Sequence, residues 1–177
     1  MKSKILLIGL ITLALICCGC VEEEVSESTL APEQYVIDDC IKHQNTFLED
    51  LTKVDAIVER WNTAYDMAVA DNHITNEEVN QLVNIADEYA YEYKRMRPHL
   101  ISYKEFMIEN EFELKNSDLD TYEVKKALDD VDSLYALNCE GMISDLEYLR
   151  TCAETSEQEE DIEGTIEDLL SIVSILI

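Results

Sequence analysis

The sequence predicts an all-α protein: an antiparallel up-down-up bundle of three long helices, with a possible short fourth helix at the C-terminus. Apolar residues recur three and four positions apart over long stretches, which is the spacing of one helix face. The 177 residues include only four glycines and two prolines, so few residues interrupt a helix. No stretch sustains the apolar-polar alternation of a strand. Each long stretch is amphipathic, and the helices must therefore bury their apolar faces against one another.

The first helix is expected within residues 32–72, because Pro32 is a residue favoured in the first helical turn. Its apolar residues form two heptad rows, which only Gln44 interrupts. Trp61, the single tryptophan, belongs to one row and is therefore expected in the core rather than at a ligand site. The rows are Ile37, Gln44, Leu51, Val58 and Tyr65, and Cys40, Phe47, Val54, Trp61 and Ala68.

The central helix is expected in residues 75–115, and both other long helices should pack against it. Thr75 and Glu78 have the spacing of a capping box at its start. Pro98 costs about 3 kcal/mol inside a helix, yet the heptad phase continues past it, which indicates a kink rather than a reversal. The rows are Val79, Ala86, Tyr93, Leu100, Met107 and Leu114, and Leu82, Tyr89, Met96 and Tyr103.

The third helix is expected in residues 119–153, after a turn at residues 116–118. Ser117 in this turn and Asp120 after it have cap-and-box spacing. Its apolar positions, three and four apart, run from Val124 to Ala153. The predicted bundle therefore comprises residues 32–153.

The C-terminal segment divides into a strongly acidic linker, residues 154–161, and an amphipathic apolar helix, residues 162–177. This helix is too short to span a membrane. Its broad apolar face must be covered, either by docking on the bundle as a fourth helix or, as an interaction helix, by a partner protein or a second copy of the chain.

The first residues have the design of a secretory signal. Lys2 and Lys4 precede an apolar run from Ile5 to Ile16, and small residues and cysteines follow. This segment resembles a prokaryotic lipoprotein signal, in which a cysteine after small residues becomes the lipid-modified N-terminus. The resemblance covers residues 1–20 alone and implies that residues 1–19 are removed.

Cys20, which follows Gly19, is the residue that the resemblance identifies as lipid-modified. Cys17 stands three positions upstream, where the family usually has leucine or a similar residue; Cys18, with Leu15 three positions upstream, is the alternative. A plain cleaved signal with incidental cysteines is the other interpretation. Residues 20–31 are acidic and polar and are expected to form a flexible tether between the lipid and the bundle.

The charge excludes one large class of function. The formal net charge is −26, and removing residues 1–19, which carry two lysines, gives −26 − 2 = −28 for the mature chain. Such a surface repels phosphate backbones, so nucleic-acid binding is not expected.

Three cysteines follow the leader: Cys40, Cys139 and Cys152. An odd number cannot pair completely within one chain. Cys139 and Cys152 would lie about 20 Å apart along one helix, which is beyond disulfide reach. We expect three unpaired, mostly buried thiols; a bridge between Cys40 and Cys139 would require shifted helices or a break near Gly141.

Catalytic and cofactor-binding motifs are missing from the sequence. It contains no HExxH, paired CxxC, GxSxG or phosphate-binding glycine loop. Asp39, Cys40 and His43 offer metal-ligand chemistry on about one helical turn, but this is too little to predict a site, and no metal or cofactor is expected. Adjacent acids such as Glu49 and Asp50 are interpreted as solvated surface.

One basic cluster interrupts the acidic sequence around Pro98. Its residues would either neutralise acidic side chains on neighbouring helices or bind an anion or an acidic partner at the kink. The candidate binding residues are Lys94, Arg95, Arg97, His99 and Lys104, with Tyr91 just upstream.

These observations together predict a non-catalytic protein, lipid-anchored on the extracytoplasmic face of the cell membrane, that acts as an interaction or spacer module in the envelope. The expected partners are the membrane, through the N-terminal lipid, and an envelope protein, through the C-terminal helix. The alternative is an extracytoplasmic binding protein for a small ligand or a divalent cation.

Overall fold

A computed structural model describes residues 34–71, 73–115, 117, 120–152 and 156–176, and the predicted leader, Cys20 and tether lie outside these ranges. Within them every regular element is a helix, which confirms the all-α prediction. The helices are α1 (Gln34–Ala68), α2 (Asn76–Glu109), α3 (Glu111–Leu114), α4 (Thr121–Cys152) and α5 (Ser156–Leu176).

The four longer helices run up, down, up and down. Along α1 and α2 the contacts run in opposite directions, since Cys40 meets Met107 near one end and Arg60 meets Glu88 towards the other. Contacts between α2 and α4 follow the same antiparallel order. In contrast, α2 and α5 run parallel, and their contacts advance together along both helices, as in the ion pair between Lys94 and Asp168.

The core follows the predicted heptad rows closely. Every residue of both rows of the central helix is buried, and so is Trp61 of α1. Ile37 and Tyr65 of the first helix are only half-buried, while Val36 is fully buried in the core. Each large apolar side chain removed from water contributes about 1.5–3 kcal/mol, so these rows supply most of the stabilisation of the bundle.

The start of α2 is the predicted capping box. The Thr75 hydroxyl accepts a hydrogen bond from the Glu78 backbone N–H, and the Glu78 carboxylate accepts one from the Thr75 backbone N–H at 2.8 Å. Hydrogen bonds from Thr75, first from its backbone and then from its side chain, lower the pKa of Glu78.

Helix α2 continues through Pro98, as the uninterrupted heptad phase predicts, but it ends earlier than the predicted span. The amide of Asn110 folds back and donates to the Phe106 carbonyl at 2.9 Å. The single helix expected up to residue 115 is therefore divided at Asn110, and Leu114 is buried from the separate short helix α3.

The predicted cap of α4 is wrong in one residue. The Asp120 carboxylate accepts hydrogen bonds from the backbone N–H groups of Tyr122 and Glu123, both at 3.1 Å. The Ser117 hydroxyl instead donates to the Leu114 carbonyl at the end of α3. Asp120 therefore caps the helix, because its carboxylate reaches the unpaired N–H groups of the first turn.

Helix α5 is longer than predicted, and most of the expected linker 154–161 belongs to it. Its acidic start is compatible with a helix N-terminus, and Arg150 at the end of α4 pairs with Glu159 and Glu163. The apolar face of α5 is buried on the bundle, which confirms the docked alternative. Its buried apolar residues are Ile162, Ile166, Leu169, Ile172 and Val173.

Two further predictions concern membranes and thiols. No helix in the described ranges is both long and apolar enough to cross a bilayer. Among the described cysteines none forms a disulfide: Cys40 and Cys139 are buried, and Cys152 is half-buried. The predicted thiol state is therefore confirmed for these three residues.

Candidate functional site

The basic cluster around Pro98 is distributed over several faces of α2. Arg95 points towards α1, where its guanidinium donates to Asp50 at 2.6 Å and to Glu92 of its own helix at 2.8 Å. Lys94 points towards α5 and pairs with Asp168 at 2.9 Å. The two neighbouring cations therefore do not converge on one ligand.

The other predicted binding residues also lie apart from one another and have different neighbours. The His99 ring lies 2.5 Å from Asp50 on the α1 side, and Lys104 pairs with Asp129 of α4 at 2.8 Å. Tyr91 is exposed over 66% of its surface. These contacts match the first of the two alternatives, neutralisation of acidic neighbours across the bundle surface.

Arg97 differs from the rest of the cluster. Of the arginines in the described ranges, it alone has no carboxylate within ion-pair distance. Its Nη2 lies 3.4 Å from the Ile175 carbonyl, which is a long hydrogen bond, and its buried Nε has no partner. Arg97 lines a cavity of about 160 Å³ between α2 and α5, together with Pro98 and two isoleucines of α5.

A second concavity lies between α1 and α2, near the ends of these helices at residues 68 and 76. It has a volume of about 920 Å³ and is open to solvent along its length. Ala56 and Ala64 leave space on the α1 side, while Asn80 and Asn84 line the α2 side. We call it the α1–α2 groove. Sequence periodicity alone did not indicate it, because its lining residues lie outside the heptad rows.

Asp50 is the centre of the polar contacts between α1 and α2, and its buried position corrects the expectation that it belongs to a solvated acid pair. Only 3% of the residue is exposed. Burial by itself would raise its pKa, but hydrogen bonds from His99 and Arg95, the positive charge of Arg95 and a hydrogen bond from Lys53 outweigh it, and the pKa is lowered from 3.8. Asp50 is therefore ionised at neutral pH.

Asp145 of α4 is a second buried carboxylic acid, and no pattern in the sequence indicated its burial. Its residue is 3% exposed, and its Oδ2 has no hydrogen-bond partner. Burial raises the pKa of Asp145 to about 6, although the nearby Tyr65 hydroxyl and Trp61 indole lower it in part. The Trp61 Nε1 is itself buried and outside hydrogen-bond geometry. This acid is therefore poorly solvated in the core.

Three tyrosines fill the middle of the bundle between α2 and α4. The Tyr93 and Tyr135 rings lie 4.7 Å apart, and Tyr89 is 5.9 Å from Tyr135. The Tyr93 hydroxyl donates to Asp132 at 2.9 Å. Burial, followed by the nearby charge of Asp132, raises the pKa of Tyr93 above its usual range. These tyrosines remain neutral and act as core residues.

The residues considered for metal binding do not form a cluster. The Cys40 thiol turns inward and contacts the Met107 sulfur at 3.8 Å, whereas the His43 ring packs on Phe106 with centroids 4.9 Å apart. Within the described part of the chain, no group of three histidine, cysteine or acidic side chains is arranged to hold a metal ion.

Comparison with known proteins found no relative of this chain. The chain matches no family model, and neither a curated protein nor a solved structure is significantly similar to it.

Proposed function

We propose that this protein is a non-catalytic surface lipoprotein, held through Cys20 on the extracytoplasmic face of the cell membrane, whose bundle acts as an interaction or spacer module in the envelope. The leader supports the anchor, and the acidic surface supports a role outside nucleic-acid binding. The observation that carries the interaction role is the α1–α2 groove, which lies at the end of the bundle opposite the start of α1.

The direction of α1 supports one orientation of the molecule on the membrane. The described chain begins at Gln34, at the start of α1, so a lipid on Cys20 would tether this end. Helix α1 has 35 residues, or about 52 Å at the usual helical rise. The groove would then face away from the membrane, within reach of another envelope protein.

The tethered end also exposes aromatic side chains of the kind that favour a membrane interface. Phe112 of α3 is 80% exposed, and Tyr35 and Tyr122, in the first turns of α1 and α4, are each more than 60% exposed. Amphipathic tyrosine rings are enriched at the head-group level of bilayers. This distribution supports the same orientation.

The chemistry of the groove supports a partner with a basic surface. Glu59, Glu77 and Glu88 contribute carboxylates to its lining, and Arg60 is paired with Glu88 at 2.7 Å. A basic surface on an envelope protein would complement this groove and the acidic net charge. The apolar face of α5 is used within the bundle, so a partner would contact α5 only through outward residues such as Leu170.

The anchor is tested by replacing Cys20 with alanine and following the protein in membrane and soluble fractions. We expect Cys20→Ala to release the protein from the membrane, with Cys18→Ala as the matched control that keeps it bound. If Cys18→Ala releases it and Cys20→Ala does not, Cys18 is the lipid-modified residue. Retention of both variants without a lipid on the N-terminal peptide would exclude the anchor.

The interaction role is tested separately with a photoreactive amino acid in place of Met67, an exposed residue of the groove. We expect a discrete crosslinked product on intact cells, and none from the same substitution at Tyr148, which is exposed on α4. Equal labelling at both positions, or none at Met67, would contradict a partner in the groove.

A further inference from the structure

We infer that the cavity between α2 and α5 at Pro98 is a binding site for a small organic anion, a monocarboxylate with a compact apolar group, whose carboxylate pairs with Arg97. The site does not depend on the proposed interaction role. It assigns a ligand chemistry to the part of α2 where the sequence placed its basic cluster.

The first argument is the size and lining of the cavity. Its volume is about 160 Å³, close to the roughly 150 Å³ of an engineered apolar cavity that holds benzene. Its apolar wall is made by Pro98 and Ile101 of α2 and by Ile172 and Ile175 of α5. An apolar group of about six carbon atoms therefore fits it.

The second argument is the electrostatic position of Arg97. In a chain with 39 acidic and 13 basic residues, carboxylates are available to nearly every cation. The other described arginines, Arg60, Arg95 and Arg150, all pair with them. Arg97 does not, and its Nε is buried without a partner, which costs free energy unless another acceptor binds there. A planar carboxylate is the acceptor that a guanidinium matches best.

The third argument concerns the neighbours of Arg97. Lys94 also lines the cavity, but Asp168 already holds its ammonium at 2.9 Å. The Tyr93 hydroxyl is likewise engaged with Asp132. Arg97, whose hydrogen bond to the Ile175 carbonyl is long, is therefore the cationic lining residue that lacks a carboxylate partner, and it determines the charge of the ligand. Because the net charge of the protein repels anions in general, a measurable affinity for an anion would be specific to this cavity.

The test is calorimetric titration of the purified full-length protein with benzoate, compared with benzamide, which has the same shape without the charge. We expect saturable benzoate binding at least tenfold tighter than benzamide. Arg97→Gln should weaken benzoate at least tenfold, whereas Arg150→Gln, the matched control in an existing ion pair, should leave it unchanged. Thermal unfolding of each variant establishes that it is folded.

A second variant tests the contribution of the apolar cavity separately from that of the Arg97 charge. Ile175→Trp keeps Arg97 and places an indole at the α5 wall, so we expect it to abolish benzoate binding. Equal affinity for benzoate and benzamide, unchanged binding in Arg97→Gln, or no binding of benzoate to the unaltered protein would each overturn the inference. None of these outcomes bears on the anchor or on crosslinking at the groove, so the two proposals fail independently.

Discussion

Asp50 of α1 accepts a hydrogen bond from Arg95 of α2, with Arg95 Nη2 and Asp50 Oδ1 2.6 Å apart. The Asp50 side chain is only 4% exposed, and His99 and Lys53 also contact it. A buried carboxylate is tolerated only when donors surround it, and those donors come from both helices. Asp50 therefore fixes the position of α2 along α1.

Replacing Asp50 with alanine should lower the free energy of unfolding by about 1–3 kcal/mol, because it leaves Arg95 and His99 without their shared acceptor. Urea unfolding followed by circular dichroism measures the change. Asp130→Ala is the control: it removes an exposed pair with Lys126 and should change stability little. Equal effects of the two substitutions would contradict a structural role for Asp50.

Asp50 should also affect how the stability of the protein changes at acidic pH. Its folded pKa lies below the value of 3.8 that it has when unfolded, so ionised Asp50 stabilises the protein above that pH. This contribution is lost as the pH falls through the lowered folded pKa. We expect Asp50→Asn to make the loss of stability below pH 4 less steep, as measured by unfolding at a series of pH values.

Asp145 should have the opposite effect on pH dependence. Its folded pKa of about 6 is above the usual 3.8, so the folded state binds the proton more tightly than the unfolded state does. The contribution of Asp145 to stability is therefore largest at low pH and decreases as the pH rises from about 4 to about 6. The difference between the two pKa values corresponds to roughly 3 kcal/mol.

Asp145→Asn is therefore expected to stabilise the protein at pH 7 by up to about 3 kcal/mol and to have little effect at pH 4. The emission of Trp61, which lies beside Asp145, should titrate near pH 6 in the unaltered protein and lose this transition in the variant. A transition that persists in Asp145→Asn would assign it to another group.

The fold was predictable because the apolar periodicity of the helices and the cap at a helix start are both visible in the sequence. The central rows from Val79 to Leu114 are buried because a heptad repeat leaves a helix one apolar face, and a capping box marks a helix start through two local hydrogen bonds. The length of α5 was missed because the charge of acidic linker residues such as Glu159 indicates solvent exposure but not conformation. The pairing of Glu159 and Glu163 with Arg150 depends on the packing of α5 beside α4.

The candidate sites were predictable only in part. The cluster around Pro98 was visible as local charge, yet its division among several faces follows from which helices lie beside α2. Asp50 and Asp145 were not identified, because nothing adjacent in sequence distinguishes a buried acid from a solvated one. Only the approach of Arg95 and His99, 45 and 49 residues away, makes the buried position of Asp50 possible.

The three described thiols should differ in reactivity. Burial raises the pKa of Cys139 to about 12, and hence its reactive thiolate is scarce at neutral pH. Cys40 is also buried, whereas Cys152 is half-buried at the end of α4. In a form beginning at residue 21, we expect a thiol-specific reagent to modify Cys152 first and all three only after denaturation. Fast modification of Cys139 in the folded protein would contradict the burial of this residue.

Pro98→Ala should stabilise the fold while weakening the cavity beside it. Proline has no N–H to donate to the Lys94 carbonyl, and in a helix interior it is about 3 kcal/mol less favourable than alanine. Since α2 already continues through Pro98, alanine should restore this hydrogen bond and raise the free energy of unfolding by about 1–3 kcal/mol in urea. The substitution also removes part of the apolar wall, so benzoate should bind more weakly to the more stable protein. A loss of stability would instead mean that the packing of α2 against α5 depends on the proline ring.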